Sequence, residues 1–387
     1  MAALTDRRPS PEVDSEGWAA IALASVSGLG PIGILALVEA HGSATAVLEA
    51  VSQGRMASGL PRRLTRLASR ARIGVAHDVT AELPAGTRVI PYSSPRYPVG
   101  LRRLHQPPAV LYALGPLALD QPRTVTLVGT RAATEYGRRM ARRIGSELAD
   151  AGWRVASGIA RGIDTEAHRG ALEAGGETVG VPGCGLGHVY PVSNRSLYLE
   201  LADRGLLLTE FPPAEGPRRE HFPRRNRILA GIARAVVVVQ AGHRSGALIT
   251  VNHANAIGVE VLAVPGPADL PASAGVNELL RDGAGLATCA ADVLSMLGEA
   301  AGAYTGSVRA GAGSRENQVE ELPLFTSAES GSEDGLLLSV LKDGPVHVDA
   351  LSTETGLPIP ATLARLARME LEGRVRALPG GRYERVS

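Results

Sequence analysis

The stretch 157–172 brings together residue types that suit the binding of an anion. Gly158 and Gly162 permit a tight turn between a strand and a helix, where backbone N–H groups can face a negatively charged group. Arg161 adds a fixed positive charge between the two glycines. The residue types and their spacing therefore predict a site for a phosphate or a similar anion.

The same stretch also carries candidates for acid–base chemistry. Asp164 and His168 stand four residues apart and share a helix face, which suits an acid–base pair or a metal site. Further side chains that an enzymatic mechanism could use are Glu166, Glu210 and His221. The alternative is structural: Asp164 caps the following helix, His168 makes a structural hydrogen bond, and Glu210 accepts bonds from backbone or arginine. We favour the structural interpretation and expect no catalytic residue and no metal.

Three other turns of the chain share the chemistry of this one. The four are called the first to fourth turns in chain order, and the stretch 157–172 contains the second. Each follows a predicted strand and offers glycine, a small hydroxyl or arginine where a helix N-terminus would meet a phosphate. The residues predicted to bind are Gly129, Thr130 and Arg131 in the first turn, Ser157, Gly158, Arg161 and Gly162 in the second, Gly183 and Gly185 in the third, and Ser245 and Gly246 in the fourth. One such turn is weak evidence, because strand-to-helix turns need glycine anyway. Four along one sheet edge predict a phosphate-binding rim.

The densest basic stretch lies between the third and fourth turns, at 218–227. A solvated charged face is one interpretation of it. The other is that the segment begins a helix whose side chains face the predicted rim, because arginine makes bidentate phosphate contacts and stacks on bases. The residues predicted to do so are Arg224, Arg225, Asn226 and Arg227.

Composition narrows the possible chemistry. The net charge is only +1, so binding of nucleic acid requires a local basic patch. Lys342 is the only lysine, which excludes a P-loop and leaves the central region without a Schiff-base residue. Cys184 and Cys289 are far apart and suit a reducing cytosol rather than a disulfide framework or a zinc site. With no long apolar run and no apolar leader, we expect a cytoplasmic protein without a cofactor.

The elements that must position the four turns form a predicted α/β domain. Short apolar runs alternate with helical runs after residue 120, which predicts an extended Rossmann-like, doubly wound and mostly parallel sheet. The predicted strands are Thr124–Val128, Arg154–Ala156, Thr178–Val181, Gly205–Leu208, Ala235–Val239 and Glu260–Val264. The predicted helices are Tyr136–Ala151, Asp164–Ala174, Ser196–Arg204, Arg225–Ile232 and Leu248–Ile257. In such a sheet the binding site lies at the carboxyl ends of the strands.

The flanking sequence predicts four further segments around a core at 85–298. We expect disorder at 1–15, a small helical domain at 16–80, a flexible linker at 299–332 and a winged helix at 333–387. Gly28 to Gly33 match the dinucleotide fingerprint, but no strand precedes them, so we interpret them as a helix-hairpin-helix turn with Pro31 beginning the second helix. That hairpin either contacts the DNA backbone or serves only to pack the helices together. The winged helix, likewise, binds either DNA or protein.

Taken together, the motifs resemble those of the DprA/Smf family of DNA-processing proteins. The matching segments are Tyr97-Pro98 with Pro107-Pro108, Val128–Arg131 with Tyr136-Gly137, Ser157–Leu172, Gly183–Gly185 with Tyr190-Pro191, Phe222–Arg227, Ser245-Gly246 with Thr250, and Pro265-Gly266 with Asn277. They occur in the family's order over about residues 87–290. The flanks are similar to the family's helical N-terminal domain and C-terminal winged helix.

This resemblance implies a Rossmann-like fold that binds single-stranded DNA rather than a dinucleotide. Family members protect incoming single strands in natural transformation, load the RecA recombinase onto them and act as dimers, and single-strand-binding protein is a further expected partner. Thr130 stands where the family has serine and keeps the hydroxyl. Arg195 is the nearest match to a basic residue that contacts DNA, and Tyr198, one helical turn on, is expected to stack on a base.

The favoured function is therefore a non-enzymatic, single-strand-binding recombination mediator. The rival is a nucleotide-processing enzyme of the lysine-decarboxylase-like Rossmann fold. Its Pro-Gly-Gly-x-Gly-Thr signature is absent, because the one similar run, at 379–381, continues with Arg382. A regulator of duplex DNA acting through the winged helix is the third hypothesis.

Overall fold

A computed structural model describes residues 10–26, 28–53, 83–119, 121–299, 333–378 and 382–386. The chain divides into two compact units, Met1–Gly306 and Ser307–Ser387. The predicted disorder of the first nine residues, the end of the predicted helical domain at 54–80 and most of the predicted linker, 300–332, lie outside the described residues.

The described part of the larger unit is organised around a mixed sheet whose strand order is β1-β2-β6-β5-β4-β3-β7-β8-β9. The strands are β1 Thr87–Pro91, β2 Val110–Leu114, β3 Thr124–Gly129, β4 Arg154–Ser157, β5 Thr178–Gly180, β6 Leu206–Thr209, β7 Ala235–Gln240, β8 Glu260–Ala263 and β9 Gly285–Leu286. β1 pairs antiparallel with β2, and β2 with β6, while the remaining pairs are parallel. The predicted doubly wound, mostly parallel sheet is confirmed.

Helices cover both faces of this sheet. They are α4 Glu135–Asp150, α5 Ile163–Glu173, α6 Arg195–Arg204, α7 His221–Gly231, α8 Ala247–Ala256, α9 Ala274–Arg281 and α10 Ala290–Met296. α4, α5 and α10 share a core with Val125, Leu127 and Val237, whereas α7 and α8 share one with Val236 and Val238. Every residue of β7 is buried, as the unbroken apolar run in the sequence predicts for a strand covered on both faces.

The start of α7 differs from the prediction. The helix begins at His221, four residues before the predicted start at Arg225. Pro223 is tolerated there because the first turn of a helix has no use for its missing N–H group. Phe222 is consequently a helical residue at the carboxyl edge of the sheet.

Three helices precede the sheet and pack against its antiparallel end: α1 Ser15–Ala24, α2 Pro31–His41 and α3 Ala44–Ser52. Pro31 begins α2, as predicted. Glu16 joins them to the sheet, because its carboxylate accepts bonds from Ala44 N at 2.7 Å, Thr45 N at 3.0 Å and Ser93 Oγ at 2.6 Å. No single helix in the described ranges has the length and apolar character to cross a membrane; only the pair α2 and α3, bent by 83°, meets that test.

The smaller unit is a winged helix, as predicted. It contains α11 Glu333–Val340, β10 Val346–His347, α12 Val348–Thr355, α13 Ile359–Leu371, β11 Val375–Leu378 and β12 Arg382–Arg385. The strands pair in the order β10-β12-β11 around a core that includes Leu337, Leu351 and Leu366. Arg365 and Arg368 of α13 both bind the buried Asp334 carboxylate, so the basic charge of this helix is largely neutralised within its own domain.

We predict that Glu16→Gln lowers the thermal stability of the larger unit, by roughly 1 kcal/mol, because an amide cannot replace all the bonds to a carboxylate. Burial alone would raise the pKa of Glu16, but the hydrogen bonds from Ser93, Thr45 and Ala44 outweigh it, and the pKa is lowered. The ionised form therefore contributes stability above the unfolded pKa, and this contribution disappears as the pH falls through the folded value.

Thermal unfolding followed from pH 7 down to pH 3 should show the difference between wild type and Glu16→Gln shrinking as the pH falls. Glu39→Gln, at an exposed position of α2, is the matched control and should unfold like wild type. A Glu16→Gln deficit that stays constant over this range would contradict the assignment.

Candidate nucleic-acid interface

A cleft of about 910 Å³ opens where the winding of the sheet reverses, at the carboxyl ends of β3 and β7. From β3 the chain winds through β4 to β6 on one side, and from β7 it winds through β8 and β9 on the other. Such a switch point is where ligands bind in open α/β sheets. The lining includes Gly129, Thr130 and Arg131 of the first turn, Ser245 and Gly246 of the fourth, Phe222, Arg225 and Asn226 of α7, and Arg219 and Arg244. The structure thus brings the first and fourth turns together with α7.

A smaller pocket of about 140 Å³ adjoins the cleft between the first and second turns. This pocket, called the aromatic pocket below, is lined by Arg131 and Arg161 together with Tyr190 and Phe222. The guanidinium of Arg131 lies 4.9 Å from the centroid of the Phe222 ring, and the two aromatic rings are 5.4 Å apart. Cations beside aromatic faces match both parts of a nucleotide, its phosphate and its base.

Arg225 holds the second turn from beneath. This side chain is 4% exposed, and its Nη1 donates to Gly158 O at 2.7 Å and to Val181 O. A Cβ at position 158 would collide with the guanidinium, so only glycine lets the turn lie this close to it. Arg225 therefore supports the turn, because its donors are directed at the protein's own backbone, although the side chain also lines the cleft.

Asp164 holds the same turn from the other side. Its Oδ2 accepts from Gly158 N at 3.1 Å and from Ala160 N at 3.2 Å. The prediction that Asp164 caps α5 is wrong, since the residue before the helix is Gly162 and makes no side-chain cap. Burial raises the pKa of Asp164, against the opposing charge of Arg225, and burial lowers the pKa of Arg225 to about 10, which leaves it charged at neutral pH.

His168 is enclosed below this turn and is not bonded to Asp164. Its Nδ1 lies 2.7 Å from Thr178 Oγ1, which itself donates to Val155 O, so Nδ1 carries the proton. Burial lowers the pKa of His168 to about 3, which keeps the ring neutral. No group of three or more potential metal ligands occurs among the described residues.

Glu210 binds two of the arginines that the sequence assigned to the rim. Arg224 and Arg227 each place an Nη2 atom 2.6 Å from Glu210 Oε2. Arg227 is 6% exposed, so its predicted contact with DNA is corrected, whereas Arg224 stays exposed but paired. Asn226 lines the cleft and donates to Gly246 O at 3.1 Å, which fixes the fourth turn.

Four other predicted contacts are also corrected, because their side chains or backbone lie inside the protein. Ser157 is fully buried and donates to Leu127 O, and Tyr198 is fully buried with its hydroxyl bonded to Leu186 O. Gly183 lies beneath the Phe222 ring, and Gly185 packs against the Pro212 carbonyl. The third turn therefore supports the aromatic pocket rather than lining the cleft.

Arg219 and Arg244 are the residues that sequence reasoning missed. Both are exposed and line the cleft, yet neither was among the predicted contacts. The available signal was position: Arg219 belongs to the dense basic stretch, and Arg244 is the first residue of the fourth turn. For Tyr190 and Phe222 the available signal was their type, since the chain has few aromatic residues.

The exposed arginines differ in how their charge is balanced. Five at the carboxyl edge, called the rim arginines below, have no carboxylate partner within the described residues: Arg131, Arg161, Arg195, Arg219 and Arg244. Arginines elsewhere in the larger unit that form salt bridges are Arg123, Arg142, Arg143, Arg154, Arg169, Arg204, Arg218, Arg224, Arg227 and Arg234. Other exposed arginines of the larger unit without a carboxylate partner among the described residues are Arg96, Arg102, Arg103, Arg138, Arg139 and Arg281. The five rim arginines nevertheless give a nearly neutral chain a basic patch at one edge of the sheet.

We predict that Arg225→Ala lowers the free energy of unfolding by about 3–5 kcal/mol, because it leaves Asp164 and two carbonyls buried without their partner. Denaturant unfolding measures the loss. Arg224→Ala removes an exposed neighbour and should cost under about 1 kcal/mol. The double variant Asp164→Asn with Arg225→Ala should recover part of the loss, and an Arg225→Ala protein as stable as wild type would disprove the role of this cation.

Comparison with known protein families gives two matches to this chain. The family model for DNA recombination-mediator protein A matches residues 88–298, and that for the DprA winged helix domain matches 323–381. The chain is 41% identical over 268 residues to a putative DNA processing protein DprA of Mycobacterium tuberculosis, covering 69% of this chain and 66% of that protein. It is 34% identical over 294 residues to protein Smf of Escherichia coli, covering 76% of each.

Two solved structures are similar in fold. DNA processing protein A from Streptococcus pneumoniae superposes with a TM-score of 0.62 at 29% identity, over 73% of this chain and 98% of that one. The Helicobacter pylori protein, whose structure was described for its single-stranded DNA binding mode, gives 0.50 at 29% identity, over 55% and 95%. The chain therefore belongs to the DNA recombination-mediator protein A family, also called DprA or Smf.

Proposed function

We propose that this protein binds single-stranded DNA along the carboxyl edge of its sheet and acts, without catalysis, as a recombination mediator. The observation that carries the proposal is the set of rim arginines, which lack carboxylate partners in the described structure and of which all but Arg195 line the cleft or the aromatic pocket. Phosphates would supply the missing negative charge, and release of their counterions would drive binding.

The aromatic pocket favours a single strand over a duplex. A base can stack on Phe222 or Tyr190 only when it is free to leave its neighbours, which is easy in a single strand and costly in a duplex. Contacts to phosphate carry no sequence information, so we expect little preference among sequences. The Helicobacter pylori relative, described for a single-stranded DNA binding mode, supports the same ligand.

The geometry of the candidate catalytic residues supports a non-enzymatic role. Asp164 is occupied by two backbone N–H groups, and His168 is buried and neutral. Asp164 supports the second turn from within, and His168 bonds to Thr178 of β5. We extend the proposal to what the family implies: protection of incoming strands in natural transformation, loading of the RecA recombinase, a homodimer, and single-strand-binding protein as a partner. We also keep the predicted division into domains at 16–80, 85–298 and 333–387.

We predict that Arg131→Ala weakens binding of an oligothymidine about tenfold, because it removes both a phosphate contact and the cation over Phe222. With roughly four to six phosphates neutralised, the logarithm of the affinity should fall against the logarithm of the salt concentration with a slope near −3 to −4. The variant should reduce that slope by about 0.7. Fluorescence anisotropy over a salt series measures both quantities.

Arg204→Ala is the matched control. Arg204 is exposed, is already paired with Glu200, and lies at the end of α6 opposite to Arg195. The variant should bind like wild type. An affinity that does not depend on salt would rule out the electrostatic mechanism, and equal losses in the two variants would rule out this site.

We predict that the protein lets its cognate recombinase form filaments on strands coated with single-strand-binding protein, and that Arg131→Ala does so poorly. Filament formation can be followed by electron microscopy or by recombinase ATPase activity. Equal filament formation with and without the protein would refute the mediator role while leaving DNA binding intact. Turnover of nucleotides by clean protein that Asp164→Asn abolishes would favour the enzyme instead.

A further inference from the structure

We propose that the DNA strand does not end in the cleft but crosses the sheet edge between Arg131 and Arg161 and continues onto the side of α4 that carries Arg138. This inference rests on the proposed function and adds a second stretch of backbone contact to it. The new contact lies on the face of the sheet covered by α4 and α5, whereas the cleft lies on the side of α7 and α8.

The crossing point is formed by the first and second turns, which touch each other. Ile163 N donates to Thr130 O at 3.3 Å, and a Cβ at Gly162 would collide with the same carbonyl. Arg131 and Arg161 are exposed on these adjoining turns and both line the small pocket. A strand that leaves the pocket between them is therefore already at the edge of the α4–α5 face.

The side of α4 that faces α5 is defined by three contacts. Gly145 packs on Ala167 O, Gly170 packs on Arg142 O, and Arg142 Nε lies 2.9 Å from Glu166 Oε2. These contacts fix how the two helices are aligned along their axes. Position 138, four residues before 142, is therefore aligned with position 162, the residue that precedes α5.

Arg138 occupies that position. Residues four apart on a helix share a side, so Arg138 lies on the same side as Arg142 but one turn closer to the carboxyl edge of the sheet. Its Nε donates to Ala133 O at 3.3 Å, which holds the guanidinium beside the first turn. Arg138 therefore lies at the end of α4 nearest the first turn, at the edge that the strand would cross.

The first turn of α4 extends the unpaired positive charge of the rim arginines, and the next turn does not. Arg138 and Arg139 are exposed and have no carboxylate partner among the described residues. One turn further on, Arg142 is bound by Glu166 and Arg143 by Glu147. Unpaired positive charge thus extends about one turn along α4, enough for one or two further phosphates.

The opposite end of the cleft carries an exposed carboxylate as well as the unpaired Arg244. His243, next to the cleft residue Gly242, lies 2.9 Å from the exposed carboxylate of Glu278. That carboxylate would repel a phosphate. On the α4 side the one exposed carboxylate close in sequence is Glu135, one turn before Arg138, and it opposes binding there.

The test compares oligothymidines of about 6 and about 18 nucleotides, bracketing a cleft-sized site and a longer path. Arg138→Ala should leave the affinity for the short strand within twofold and weaken the long strand about 3–10-fold. Its salt slope on the long strand should fall by about 0.7 for each phosphate lost. Arg204→Ala, the paired surface arginine, should change neither.

Glu135→Gln makes the test independent of any loss of folding, because it should strengthen binding of the long strand and leave the short strand unchanged. Equal effects of Arg138→Ala on both strands, or no effect on either, would overturn the proposed path. If wild type binds no strand of either length, the proposed function itself fails, which is a different result.

Discussion

The buried guanidinium of Arg225 is the interaction on which the interface depends. It bonds to the carbonyls that follow β4 and β5, and the charge of Asp164 compensates it across the second turn. Ile159, within this turn, is the one non-glycine residue with positive φ in the described structure, so the backbone there is held in a conformation it would not adopt alone. The exposed Arg161 projects from that held backbone.

The arginines of this protein differ in whether a carboxylate balances their charge. Some buried or distant arginines are neutralised by carboxylates, as Arg227 is by Glu210 and Arg154 by Glu177. The arginines at the carboxyl edge are left without such partners, so a chain with a net charge of +1 still presents a cationic surface. Because paired surface charges contribute little to an external field, the location of the unpaired ones decides where a polyanion binds.

The sheet and its four turns could be predicted because glycine and apolar runs are local signals. The roles of individual arginines could not. Residues 224, 225 and 227 read as one basic stretch, but on a helix they point in different directions, and Arg225 and Arg227 turn inward. Tyr198 was misassigned for a similar reason, since only the tertiary structure shows that α6 buries this ring under Leu186. Glu210 does accept bonds from arginine, as expected from the sequence, but which arginines it pairs with depends on a contact that the chain order does not reveal.

We propose that the DNA strand lies on the carboxyl edge of the sheet and not on the winged helix. Photo-crosslinking with a strand that contains 5-iodouracil, followed by mass spectrometry of the crosslinked peptides, tests it directly. We expect crosslinks at Tyr190 and Phe222 and in the peptides that carry Arg131 and Arg244. Crosslinks confined to the winged helix, with none at the sheet edge, would contradict it.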